Sequence, residues 1–153
     1  MFFRIVEVAG AGGGLLGATT GIARTAAVVA AAGLVILAAF QVSLALGAPL
    51  GRAAWGGTRT HLPTGLRVAS AVAVVVWLLA AAIVLGRAGS DLVPLPAGAL
   101  RWGTWILFGL LLVGALMNVA SKSPWERYLW GPFAFVLAIL CFVVARSPLD
   151  PAA

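Results

Sequence analysis

Acidic side chains are nearly absent from this chain. Among 153 residues only Glu7, Asp91, Glu126 and Asp150 carry a carboxylate, and none of them falls inside a long apolar run. That removes the usual carrier of proton coupling in membrane pumps and antiporters. Cysteine occurs once, at Cys141, which excludes an intrachain disulfide and any cysteine cluster for a metal or iron–sulfur centre. Histidine also occurs once, at His61, so a bis-histidine haem cannot be built from one chain. No nucleophile–base set or catalytic pair of carboxylates emerges. The glycine-rich GAGGGLLG near the N-terminus has neither the lysine nor the preceding strand of a phosphate-binding loop. No cofactor and no metal is therefore expected.

Charge of either sign is missing from four stretches: Thr25–Gly51, Val68–Gly86, Trp102–Ser121 and Tyr128–Ala145. They run from 18 to 27 residues, and a hydrocarbon core of about 30 Å needs roughly 20 apolar helical residues. With 63% hydrophobic residues and a mean hydropathy of +1.11, the chain is too apolar to keep a water-facing surface. The net charge of +6 would suggest nucleic acid in a soluble chain. Here the ten bases are scattered singly between apolar runs, where they set topology at lipid headgroups, and no nucleic-acid partner is expected. The fold class is all-α, an integral membrane bundle of four transmembrane helices with a short N-terminal arm.

The arm is expected over residues 1–24 as a retained amphipathic or irregular segment, because Glu7 breaks a secretory-signal pattern and a span follows directly after Arg24. Gly13, Gly17 and Gly21 are spaced four apart, which leaves open a membrane-embedded helix over Val8–Ala23. The transmembrane domain covers 25–146, with spans about 25–46, 68–86, 102–121 and 128–145, and 147–153 form a tail. Gly47 and Pro49 stop the first span, and the third connection is short enough to make spans three and four antiparallel neighbours. Trp102, Trp105, Trp125 and Trp130 sit near span ends as interfacial anchors, whereas Trp77 lies mid-span, between helices or against lipid. Five bases fall on each face. The amino terminus and Arg24 tip the balance towards both termini inside.

Threading four spans brings the polar residues together on the face of loops one and three. Gln41 and Asn118 lie deepest there, followed by Arg67, Glu126 and Arg127, with Trp55 and His61 from loop one. Buried amides in lipid must find partners. One reading makes Gln41 and Asn118 interhelical glue, with Glu126 paired to a neighbouring base. The other makes a shallow polar pocket in which Arg67 or Arg127 receives an anionic headgroup. The membrane-embedded glutamate of a small multidrug exporter has no counterpart in the expected spans, since Glu7 lies before them and Glu126 in the third connection, which weighs against a proton-driven transporter.

The segments LGAPLGRAAWGGTRTHLPTGLRVAS and MNVASKSPWERYLWGP resemble a pattern found in uncharacterised small four-span membrane proteins of high-GC bacteria. That resemblance implies membrane residence and nothing further about function; the expected location is a bacterial cytoplasmic (inner) membrane. The expected role is a non-catalytic accessory or interaction subunit of a larger membrane assembly. The alternative is a lipid or small-amphiphile binding or transport module using the polar face, as a homo-oligomer where transport is involved. An enzyme would have only His61 and Glu126 as acid/base groups.

Overall fold

Proline and glycine punctuate this chain where its helices start and stop. The computed structural model describes residues 2–91 and 94–147, with side chains from residue 17 onward. Pro63 precedes α2 (Thr64–Arg87), its carbonyl accepting from Leu66 and Arg67, and Pro96 does the same for Leu100 of α3 (Ala97–Ala120). A missing N–H costs nothing ahead of a first turn, where donors lack helical partners in any case. Gly47, at φ +90°, ends α1 (Phe2–Ala45), and Gly89, also at φ +90°, ends α2. Both supply the left-handed residue that lets the chain turn back on the last helical carbonyls. Before α4 (Gly131–Arg146) comes a π-helical turn, Glu126–Trp130, closed by the Gly131 N–H on the Glu126 carbonyl. Pro132 follows at once, and its absent donor is accommodated by that wider turn.

Among the described residues the protein is all-helical, and four helices are long and apolar enough to cross a membrane: Gly17–Ala45, Thr64–Arg87, Ala97–Ala120 and Glu126–Arg146. The expected arm differs in form. Helix α1 runs unbroken from Phe2, so 8–23 is no separate fifth helix but part of the first one. No proline interrupts residues 2–45, and nothing removes a backbone donor between arm and span. Of the glycine stripe, Gly13 lies outside the described side chains. Gly17 and Gly21 have open space where a Cβ would stand, and every residue from 17 to 22 is exposed.

The helices form a ring, α1 packing on α2, α2 on α3, α3 on α4 and α4 back on α1, with consecutive helices antiparallel. Small residues make the inner face of α1: Ala27 and Ala30 are fully buried, Ala26 and Ala31 nearly so. In lipid, where apolar burial drives no association, such a face stabilises by close van der Waals approach. Gly33 makes a close approach of α1 to α4, directly beneath Leu137. At the loop-two end, α2 and α3 meet tightly through Gly86 against Leu100 and Gly103 against Ile83. There the buried Arg87 guanidinium donates to the Ser147 carbonyl at 2.6 Å and ties the ends of α2 and α4 together.

Candidate functional site

Loop one, 46–63, folds as a cap over one end of the bundle. The Gly51 N–H donates to the Thr60 carbonyl at 3.0 Å, closing the loop on itself. Beneath it Leu44, Ala54 and Leu62 form a small apolar cluster with Phe40 and Leu66. Three successive residues then take left-handed backbone: Trp55 at φ +53°, Gly56 at +81° and Gly57 at +69°. For tryptophan that conformation costs about 1–3 kcal/mol and persists only where surroundings fix it. What fixes it here is the indole N–H, which donates to the fully buried Ser70 hydroxyl of α2 at 3.2 Å.

That left-handed stretch aims the Gly56 N–H at Glu126, whose Oε1 accepts it at 3.0 Å. Ser121, at the end of α3, donates its hydroxyl to the other carboxylate oxygen. Ser123 links the same loops, its hydroxyl donating to the Arg52 carbonyl at 2.8 Å and its N–H to the Ser121 hydroxyl at 3.0 Å. From the first turn of the fourth span, the Trp130 indole N–H reaches the Ala53 carbonyl at 2.9 Å. Loop one is thus pinned to α2, to loop three and to the start of the fourth span. Glu126 is only 8% exposed, and both of its partners are neutral donors. The expected pairing with a neighbouring base is corrected accordingly: Arg67 and Arg127 turn to backbone carbonyls instead.

Under the cap lies a cavity of about 520 Å³, within the range that holds small ligands. Its polar lining is Gln41, Asn118, Ser121 and Glu126, and its aromatic lining is Phe40, Trp55, Trp77 and Trp130. The Gln41 Oε1 is buried and has no hydrogen-bond partner. Asn118, half-buried on α3, makes no side-chain hydrogen bond among the described residues. Neither amide therefore acts as glue between helices. Trp77 stands about 20 Å along α2 from Thr64, so the cavity reaches towards mid-span.

Of the residues expected at this face, Gln41, Trp55, Asn118 and Glu126 come together around the cavity, and three others stand apart. Arg67 donates through Nε to the Ala45 carbonyl at 2.9 Å and packs over Gly47, capping α1. Arg127 does the same for α3, reaching the Val119 carbonyl at 3.2 Å and the Ser121 carbonyl at 2.8 Å. His61 is exposed on loop one. A guanidinium bound to helix-end carbonyls stabilises the negative end of the helix dipole, which is why both arginines turn away from the cavity. Phe40, Trp77 and Trp130 complete the lining, the Phe40 and Trp130 rings packing tilted at 39° with centroids 4.6 Å apart. Of these, Trp77 stood out in the sequence as a tryptophan in mid-span and Trp130 as an interfacial anchor, whereas Phe40 gave no signal.

Among the described residues no group of His, Cys, Asp and Glu could hold a metal ion. No protein-family model, curated protein or solved structure matches the chain, so the chemistry of the cavity alone speaks to function.

Proposed function

We propose that this protein binds a small amphiphile or lipid in the cavity under loop one, as a non-catalytic module of a bacterial inner membrane. The observation that carries the reading is the unpartnered Gln41 Oε1 in a cavity of about 520 Å³. A four-helix bundle is ordinarily filled by its own side chains, and a buried acceptor without a partner costs roughly 1–3 kcal/mol. A bound head group that donates to Gln41 relieves that cost, while the aromatic and aliphatic walls take an acyl or alkyl chain. Binding by one chain does not require the homo-oligomer that a transport route would need.

Gly114 provides the test. It lines the cavity, and a Cβ built on it meets nothing within 4 Å. Gly114→Phe projects into this space from a position where the Cβ meets no neighbour, and replacing a mid-helix glycine by phenylalanine favours the helix by about 0.5 kcal/mol. Native mass spectrometry of the protein drawn from its own membrane should show a defined small molecule on the wild-type chain. Occupancy in the variant should fall by about tenfold or more, equivalent to about 1.4 kcal/mol. Equal occupancy in both would sink the reading.

The same measurement weighs the accessory-subunit reading. Its small-residue helix surface is largely consumed inside the bundle by Ala26, Ala27, Ala30 and Ala31, but Gly17 and Gly21 remain exposed with open space above them. A stoichiometric larger partner lost on Gly17→Leu would establish that role.

For orientation, the native Cys141 is fully buried and leaves little labelling background. Single cysteines at Thr58 and Ser90 should label from opposite sides. With both termini inside, Ser90 is reached from the cytoplasm.

A further inference from the structure

Within that reading of the cavity as a binding site, the lining also defines the charge of its occupant. We infer that the cavity selects amphiphiles whose head is a protonated amine or a quaternary ammonium, admitted sideways from the bilayer between α2 and α3. Glu126 is the acid of this lining, and its carboxylate is satisfied by two neutral donors with no counter-cation. A buried carboxylate left in that state gains from any cation brought within a few ångströms. Gln41 adds a second acceptor through its unpartnered Oε1, to which a protonated amine donates, while a quaternary head, having no N–H, is drawn to it and to Glu126 by charge alone. Trp55 and Trp130, bonded at the loop-one end, bring electron-rich rings of the kind over which ammonium groups are held, while Trp77 lies deeper, where the chain of the occupant would reach. Among the described residues no Arg or Lys lines the space, and Arg67 and Arg127 are committed to helix-end carbonyls. An anionic head would meet acceptors there, while Asn118 accepts or donates equally and does not discriminate.

The path follows from where α2 and α3 touch. Their close approaches, Gly86 on Leu100 and Gly103 on Ile83, lie at the loop-two end. Towards loop one the space between Trp77 of α2 and Leu110 and Met117 of α3 is cavity, and Met117 is 69% exposed on the flank. From the water side a cation would have to pass Arg52 and Arg59, both exposed on the cap. Like charge there raises the barrier to aqueous entry and leaves the bilayer flank as the favoured route.

The experiment uses the full chain in dodecyl maltoside micelles. It follows tryptophan quenching by ω-bromododecyl trimethylammonium and, separately, by ω-bromododecyl sulfate. The ammonium probe should quench saturably and bind about tenfold or more tightly than the sulfate. Glu126→Gln should erase that preference, and Trp77→Phe should remove much of the quenched signal. Phosphatidylethanolamine that displaces the probe, where phosphatidylglycerol does not, identifies a lipid headgroup as the natural source. Failure of both lipids to displace it identifies a free cationic amphiphile, and either result supports the class. Sulfate bound as tightly as ammonium by the wild-type chain overturns the charge selection while leaving cavity binding intact. That comparison needs no variant to fold. Absence of saturable quenching by either probe overturns cavity binding itself, and the selection with it.

Discussion

Gly57→Val is expected to release the cap over the cavity, at a cost of about 2–4 kcal/mol to loop one. Two independent penalties meet at this position. At φ +69° an L side chain is strained by roughly 1–2 kcal/mol, and a β-branched one by more. The added Cβ would also stand 2.7 Å from the Ser123 Cβ and 2.9 Å from the Arg52 carbonyl oxygen. Backbone cannot yield as a flexible side chain does, and forced overpacking typically costs about 1–3 kcal/mol. The segment that must move carries the Gly56 N–H bonded to Glu126 and the Arg52 carbonyl bonded to Ser123. Trypsin should report the release. Arg52 and Arg59 are exposed, yet cleavage requires the loop to open locally, and 2–4 kcal/mol raises the open population by about 30-fold or more. Gly56→Ala is the internal control. Gly56 shares the left-handed backbone at φ +81° but has open space at its Cβ, so it should carry the backbone strain alone and speed cleavage by about 5- to 30-fold, less than Gly57→Val. Equal rates for the two variants would mean that contact with Ser123 does not hold the cap.

Why so much of this fold could be read from the chain, and so much less of its site, is a matter of what each depends on. A membrane span is recorded locally, since every apolar residue in it must individually tolerate lipid and every charge must be kept out of it. The four charge-free stretches accordingly mark the four long helices. Their ends are another matter. Helix α2 begins at Thr64 and includes Arg67, α3 begins at Ala97 and includes Arg101, and α4 carries Arg146 in its last turn. A base at a helix end extends its head towards the interface, so the first charge does not mark the last helical residue. The arm was illegible for the opposite reason. Its glycines argue against a helix by propensity, but propensity is a weak prior where no proline breaks the backbone pattern.

At the site, topology alone brings Gln41, Asn118 and Glu126 to one end of the bundle. What it cannot convey is where each long side chain turns. Arg67 and Arg127 carry the charge that suggested an anion site, but each has a carbonyl-rich helix end within reach of its own guanidinium. Satisfying those carbonyls outweighs facing a space of acceptors. Glu126 looked like half of an ion pair because bases flank it on both sides in sequence, Lys122 and Arg127. Of its two actual partners, Ser121 lies five residues away, but Gly56 comes from 70 residues away and belongs to a run of three left-handed residues in loop one. Only the WGG of Trp55–Gly57 hinted at that turn.

The deepest prediction concerns the seam between α1 and α4. Gly33→Leu should destabilise the bundle by about 2–3 kcal/mol in mixed-micelle unfolding with sodium dodecyl sulfate. An added Cβ would lie 2.5 Å from the Leu137 Cδ2 and 3.4 Å from the Phe133 Cζ. Leu137 is 2% exposed, so its methyl has no free volume into which to retreat, and the remaining atoms of the new leucine would enlarge the conflict. In water such a change could be offset by extra apolar burial. Within a bilayer it gains little, because lipid tails solvate a leucine as well as a helix neighbour does, and close approach is what the interface lives on. Leu137→Ala alone should also destabilise, by about 2–5 kcal/mol, through the lost contacts and the void it leaves. Joined in one chain, the two changes roughly exchange their volumes across the seam, and the double variant should be more stable than the sum of the single losses by about 1–3 kcal/mol. Simple additivity would show that Gly33 and Leu137 do not share a contact. Helices α1 and α4 would then have to be held together by the cap of loop one and the π turn at Glu126 rather than by the seam.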